Sequence, residues 1–418
     1  MASWIEIDNN SDFSLQNLPY GIFSTEGSGR RIGVAVGEYI LDMKALVQEK
    51  LLDQCKFDTS TFEHETLNAY AAVGKDAHRE VRSILQDLLS KDTSLGPTLR
   101  DNPKRREKIL VPMNKAQMHL PMNIGDYTDF FVGQYHAQNC SDMLRPGSGL
   151  PPNYVNLPVG YHGRASSIVV SGTPVRRPKG QFNSRGVPEF GPCQSLDFEV
   201  EFAAFIGQSN EMGDSIDVND AENYIFGYVL MNDWSARDIQ FWESTPLGPF
   251  NGKNFCTTIS PWVVTPDALE AFQTTLIQSN PKFPYLDQHK KESVYDIPIQ
   301  VSLETETAKY NVSECNTKNV IFSFAQMIAH HTAGGCPLRT GDLIATGTLS
   351  GATRKELGCL LEITRNGAEL YEIEAVNAAK EKINRSYLED GDMVEFIAHV
   401  RGKMGRVGFG ACRGRITA

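Results

Sequence analysis

The stretch that most restricts this chain is Val229-Leu-Met-Asn-Asp-Trp-Ser-Ala-Arg-Asp-Ile-Gln240, followed by the turn-rich Leu247-Gly-Pro-Phe-Asn-Gly-Lys-Asn-Phe-Cys-Thr257. It opens as a short apolar run, the pattern of a buried strand. The run ends on an acid, Asp233, and Arg237 and Gln240 follow three residues apart, as on one face of a helical turn. The glycine-containing segment then delivers Lys253 and Thr257. A buried strand that empties into acid, cation, amide and amine predicts an active-site wall with a sheet behind it.

The rest of the chain agrees with a mainly β fold carrying some helix. Leu196-Asp-Phe-Glu-Val-Glu-Phe202 alternates as a half-buried strand does. Further strands are expected at Pro261–Val264, Gln300–Leu303, Leu343–Thr346, Leu360–Ile363 and Met393–Val400, and a strand meeting a turn over Arg164–Arg177. Helical periodicity marks Ala77 to Leu89, and Ser323 reads as the N-cap of a helix that stops at Gly334-Gly335. Short extended runs, Arg31–Val36 and Glu38–Asp42, precede these helices. Asp92 to Arg106 is polar, holds Pro97 and Pro103, and reads as a linker. The expected division is therefore residues 1–120 and 121–418. Helices are too few for a doubly wound βαβ array.

A formal net charge of −11 argues against a nucleic-acid or membrane-surface binder, since both lean on basic patches. The first residues lack a signal-peptide pattern, and no apolar run is long enough to span a bilayer. The 8 cysteines are scattered without a C-x-x-C pair, so reduced thiols and a cytosolic location are expected.

Glu199 and Glu201, two apart on an expected strand, share one face. Together with Asp233 and Asp129 they make four carboxylates set beside apolar runs, a donor set for Mg²⁺ or Ca²⁺ rather than zinc. On spacing alone an exposed acidic strand face is an equal reading. Gly125-Asp-Tyr-Thr-Asp-Phe-Phe131 leads to His136, one of 9 histidines; His162 and the pair His330-His331 compete with it as a base. A basic imidazole needs an orienting acceptor, which spacing does not identify. No G-x-S-x-G elbow and no P-loop are present.

Several long strings carry a resemblance. Gln16-Asn-Leu-Pro-Tyr-Gly-Ile-Phe23, Gly125-Asp-Tyr-Thr-Asp-Phe130, Leu157-Pro-Val-Gly-Tyr-His-Gly-Arg-Ala-Ser-Ser167, Met231–Gln240, Thr257-Thr-Ile-Ser-Pro-Trp262 and Arg339–Thr348 resemble the fumarylacetoacetase family over nearly the whole chain. The resemblance implies an SH3-like N-terminal barrel, a β-rich catalytic domain and a homodimer. It also implies metal-dependent hydrolysis of a carbon–carbon bond in a β-diketo acid, giving fumarate and acetoacetate at the end of tyrosine and phenylalanine breakdown. It places metal ligands at Asp129, Glu199, Glu201 and Asp233, with Lys253 and Thr257 near a second cation site. The base falls on His136, its carboxylate partner on Glu362, and oxyanion donors on Arg237, Gln240 and Lys253. Substrate contacts fall on Arg145, Tyr161, Gln240 and Thr348.

Phe131 and Ser244 stand where the family pattern has tyrosines, so the pocket is expected to lose two phenolic donors. A hydrogen bond to a charged group contributes about 1.5–3 kcal/mol. This keeps an alternative open, a related β-diketone or acylpyruvate hydrolase with the same metal site and a reshaped pocket. A non-catalytic metal-binding scaffold is a third reading, disfavoured by the presence of His136, Glu362 and Arg237.

Overall fold

The computed structural model describes residues 2–278, 281–376 and 381–418. Its centre is a seven-stranded mixed sheet in the order Gly160–His162, Tyr127–Phe130, Leu343–Ala345, Val200–Ile206, Ile225–Asp233, Thr257–Ile259 and Ile168–Val170. The predicted run ending at Asp233 is the long strand Ile225–Asp233, buried throughout. It pairs antiparallel with Val200–Ile206, Glu201 lying opposite Met231, and with Thr257–Ile259, Asp233 lying opposite Thr257.

Strand alternation explains why this sheet is covered on both faces. Phe202, Ala204 and Ile206, with Tyr228 and Leu230, enter one core. Ala203, Phe205, Val229, Met231, Ile259, Leu343 and Ala345 enter the other, which they share with the N-terminal residues Ile22, Val34 and Leu85. Each fully buried valine, leucine, isoleucine, methionine or phenylalanine among them contributes roughly 1.5–3 kcal/mol. The first core is closed by a second sheet, ordered Lys309–Asn316, Pro298–Glu304, Met393–Gly402, Cys412–Thr417 and Val175–Arg176, with Gly405–Gly408 paired to Met393–Gly402. The second is closed by a five-stranded antiparallel sheet, ordered Leu110–Pro112, Tyr39–Asp42, Ser28–Val36, Tyr20–Thr25 and Gln117–His119, and by the amphipathic helix Lys75–Leu89. Glu201, Asp233 and Asp129 occupy the positions at which this second apolar face runs out. A two-residue period thus carries each strand from packing residues directly into carboxylates.

Four expectations change. Asp92–Arg106 is folded into the N-terminal unit: Leu99 is buried, Pro103–Ile109 is a helix capped by Asn102, and Arg105 pairs with Glu49 at 3.1 Å. Pro261–Val264 forms isolated bridges, Val263 to Tyr20 and Val264 to Tyr228, and no continuous strand. The alternating run Leu196–Phe202 is broken: Leu196–Asp197 pairs with Ser235–Ala236, and the next strand starts at Val200. Finally, Leu360–Ile363 is a short helix. Four apolar-rich residues do not distinguish strand from helix by period. The expected helix at Ser323 is present as Phe324–Thr332, with a full capping box between Ser323 and Gln326.

Candidate active site

Three strand ends bring Asp129, Glu201 and Asp233 together, with ligand oxygens all within 4.8 Å of one another. All three are buried. Both oxygens of Glu201 and Oδ1 of Asp129 have no hydrogen-bond partner. Burial, reinforced by the neighbouring carboxylates, pushes Asp129 and Glu201 well above the ordinary carboxylate range. Clustered buried acids with idle oxygens are costly in isolation, and a hard, oxygen-seeking divalent cation removes that cost. The donor set fits such a cation.

Glu199 is placed differently, because it lies in the break before the Val200–Ile206 strand. Its Oε1 accepts from Arg237 Nη1 at 2.7 Å, and its Oε2 is ion-paired with Lys253 Nζ. Burial would raise its pKa, but Lys253 and Arg237 outweigh burial and hold Glu199 well below the carboxylate range. Lys253 also reaches Asp233 at 2.7 Å. Asp233 in turn accepts from Tyr161 and from Thr257, each at 3.3 Å.

Arg237 opens the helix Arg237–Glu243, and Gln240 Oε1 accepts from its Nη1 at 3.2 Å, so the expected shared face exists. The loop carrying Lys253 docks on this helix through Gly252, whose carbonyl accepts from Ala236 N at 2.8 Å. A Cβ at Gly252 would lie 2.7 Å from Gln240 N, so the close approach requires glycine. Arg237 engages neither Asp238 nor Glu243. Its second partner is Asp197, fully buried, at 2.9 Å from Nε.

His136 lies on the helix Gln134–Leu144, and its Nδ1 is 2.7 Å from Glu362 Oε2. Glu362 also accepts from Ser350 Oγ and Asn139 Nδ2, both at 2.7 Å. Burial alone would lower the His136 pKa; the Cys140 sulfur and the Glu362 carboxylate raise it well above the usual imidazole value. Burial likewise would raise Glu362, but His136 and its other donors hold it low. Asp197 reappears here: its two oxygens accept from Leu360 N at 2.7 Å and Leu361 N at 2.9 Å, at the start of the helix that carries Glu362.

The remaining sequence candidates divide. Tyr161 and Thr257 touch the carboxylates as described. Thr348 is buried. The Phe131 ring packs edge-on against His136, 5.4 Å between centroids. Ser244 caps its helix and donates to the Gln240 carbonyl, so its hydroxyl is engaged within its own turn. Arg145 is exposed at the C-terminal end of the His136 helix and makes no side-chain hydrogen bond among the described residues. Of the competing histidines, His331 bonds Thr128 at 2.8 Å and His330 bonds Tyr285 at 3.0 Å, whereas His162 lines the cavity beside the carboxylates. A cavity of about 360 Å³ adjoins the cluster, lined in part by Tyr161, Arg164, Asp233, Phe250 and Lys253.

Sequence reading passed over Asp197, Ser350, Asn139 and Cys359. Asp197 stood in the alternating run beside Glu199; only the strand break reveals that it turns towards Arg237.

An imidazole–carboxylate pair, fixed cationic donors and a carboxylate cluster that suits a hard cation lie together on a mixed sheet, the parts that an enzyme of the metal-assisted acid–base class needs. Comparison with known proteins places it more closely. Residues 16–121 match the family described as Fumarylacetoacetase N-terminal, and residues 131–417 match Fumarylacetoacetate (FAA) hydrolase C-terminal. The chain is 46% identical over 427 residues to the fumarylacetoacetase of Oryza sativa subsp. japonica, covering 100% of this chain and 97% of that protein. It is 44% identical over 422 residues to that of Mus musculus, covering 99% and 98%. Among solved structures, the fumarylacetoacetate hydrolase from psychrophilic Exiguobacterium antarcticum matches with a TM-score of 0.51 at 18% identity, over 96% of this chain and 99% of that one, a likeness of fold. The chain belongs to the fumarylacetoacetase family.

Proposed function

We propose that this chain hydrolyses the carbon–carbon bond of fumarylacetoacetate to fumarate and acetoacetate, using Mg²⁺ or Ca²⁺. The observation that carries this reading is the joining of the carboxylate cluster to the His136–Glu362 pair in a chain 43–46% identical, end to end, to fumarylacetoacetases. Asp129, Glu201 and Asp233, with Glu199 beside them, would hold the cation. Such an ion polarises a β-diketone carbonyl when bound.

The residues of the chain supply the rest. His136, oriented by Glu362, takes a proton from water as its oxygen attacks the carbonyl carbon, a contribution of roughly 10²–10⁴-fold. Arg237, Lys253 and the amide of Gln240 face the oxygen on which charge develops. Arg237 and Lys253 remain charged because Glu199, Asp197 and Asp233 hold them. The carbon–carbon bond then breaks, and the proton held by His136 passes to the departing carbon. Tyr161, Thr348 and Arg145 contact the substrate.

Phe131 and Ser244 support a second reading, an acylpyruvate or other β-diketone hydrolase, since neither offers a phenol to the pocket. Turnover of fumarylacetoacetate against acylpyruvates decides between them: the first reading expects preference for fumarylacetoacetate, and negligible turnover of it favours the second.

Three structural readings accompany this function. The N-terminal unit is an SH3-like barrel, supported by its five-stranded antiparallel sheet. The division lies at residues 120/121, next to the end of the Gln117–His119 strand. The chain acts as a cytosolic homodimer, supported by 8 cysteines all in the free thiol form and by the exposed Phe190, Leu247 and Phe250. Sedimentation at several protein concentrations tests the dimer; a monomer throughout would contradict it.

A further inference from the structure

The base pair sits inside a sulfur-bearing cluster that hydrolysis does not need. Cys359, fully buried, places Sγ 3.1 Å from Glu362 Oε2 and 4.0 Å from His136 Nδ1. Nδ1 and Oε2 are themselves 2.7 Å apart. These three atoms belong to one of two groups among the described residues whose donors all lie within 4.8 Å. Cys140, one helical turn beyond His136, adds a second sulfur 3.6 Å from Nε2.

The donor chemistry differs from that of the carboxylate cage. Asp129, Glu201 and Asp233 offer only hard oxygens, whereas a thiolate and an imidazole select a softer ion of the zinc type. Zinc bonds of about 2.0–2.3 Å in a tetrahedron set ligand–ligand separations of about 3.3–3.8 Å. Of the observed separations, 2.7 and 3.1 Å lie below that range and 4.0 Å above it, so an ion would move Glu362 away from His136 and Cys359 and draw Cys359 towards His136. The supporting contacts a metal site requires are also present. Ser350 Oγ and Asn139 Nδ2 fix the Glu362 carboxylate. A cavity of about 480 Å³, lined by Glu362 together with Asn139, Asp142, Met143 and Arg354, lies beside the cluster.

We propose that His136, Cys359 and Glu362 form a separate site for a soft divalent cation such as zinc, and that filling it arrests the base. The ion enters between Nδ1, Sγ and Oε2. The Cys359 thiol proton leaves to the buffer and the Nδ1 proton of the neutral imidazole moves to Nε2, one proton released for each ion bound, with no change of oxidation state. A metallated imidazole, uncoupled from Glu362, no longer takes a proton from water. The inhibition rests on the hydrolase reading; the binding does not.

Cadmium titration of the substrate-free chain, with Mg²⁺ in excess to fill the oxygen cage, tests the binding directly. The expected result is an ultraviolet thiolate-to-cadmium absorption band that is lost in both Cys359→Ala and Cys359→Ser, with protons released on binding. No band in the parent chain, or a band that survives both substitutions, overturns the site. Zinc inhibition of turnover, scaled in each variant to its own zinc-free rate, tests the consequence. Cys359→Ala should raise the half-inhibitory zinc concentration about tenfold or more. Equal inhibition of parent and variant overturns the arrest of the base by this site, while absent turnover without zinc bears only on the hydrolase reading.

Discussion

His136 Nδ1 and Glu362 Oε2 meet at 2.7 Å although 226 positions separate them in the chain. The pairing is secured from three sides. Ser350 and Asn139 anchor the carboxylate, and Asp197 accepts from the first amides of its helix. Glu362 is therefore a preset orienter of the imidazole, with few rotamers left to lose when substrate arrives.

Replacing that orienter should slow the reaction and move its pH dependence. Glu362 raises the His136 pKa, and a base acts in its neutral form, so activity rises as pH rises through that pKa. Glu362→Gln is expected to shift the acid limb of kcat/KM to lower pH and to cut kcat by roughly 10²–10⁴-fold. A pH–rate profile checks both effects, and an unmoved limb contradicts the coupling.

Asp197 supports two arms at once, the Arg237 guanidinium and the helix that carries Glu362. Asp197→Asn keeps the shape but cannot accept from both sets of donors. It is expected to lower kcat by roughly 10²-fold with little change in KM, the pattern of an interaction that matters in the transition state. Steady-state kinetics on a variant with native circular dichroism makes the measurement.

The carboxylate cage should couple cation binding to stability. Asp129 and Glu201 are pushed up in the folded chain by burial and by neighbouring charge. A raised folded pKa means that the cation-free protein gains stability as pH falls from that raised value towards the ordinary carboxylate range. Adding Mg²⁺ or Ca²⁺ at neutral pH should raise Tm, with about 2.7 kcal/mol of stabilisation at 100 times Kd. Glu201→Gln should raise the cation-free Tm and weaken the cation response. Calorimetry with and without chelator checks both directions.

Ser244 spends its hydroxyl on the Gln240 carbonyl. Ser244→Tyr restores a phenol to this wall and should lower KM for a carboxylate-bearing diketone more than it raises kcat, the mark of uniform binding. An unchanged KM would show that the phenol has no ligand to meet.

Much of this was legible in the sequence, for reasons that can be traced. The strand ending at Asp233, the Arg237–Gln240 turn and the Ser323 cap all depend on local period and capping chemistry, which neighbours along the chain encode. The carboxylates could be nominated because each interrupts an apolar face. Their grouping could not be derived from spacing, since it depends on register across four strands. The break at Phe198–Glu199 was invisible for the same reason: alternation continues through it, while Asp197 leaves the sheet to meet Arg237 and the Leu360 amide. Only the family resemblance marks Glu362 as the partner of His136, and Leu360–Ile363 has a strand-like pattern although it is helical, because four residues scarcely span one helical turn. The sulfur cluster around the base is tertiary only in part: Cys140 follows His136 by one turn of the same helix, whereas Cys359 caps a short helix 223 positions from His136.

In the proposed reaction the carboxylate cage and the His136–Glu362 pair act together on fumarylacetoacetate. The most direct measurement follows loss of its diketone ultraviolet absorbance with the full chain, in chelator and then with Mg²⁺ or Ca²⁺ restored. The account predicts turnover that disappears on chelation, returns with either cation, and falls by roughly 10²–10⁴-fold in His136→Ala. Full turnover in chelator, or an unimpaired His136→Ala, would contradict it.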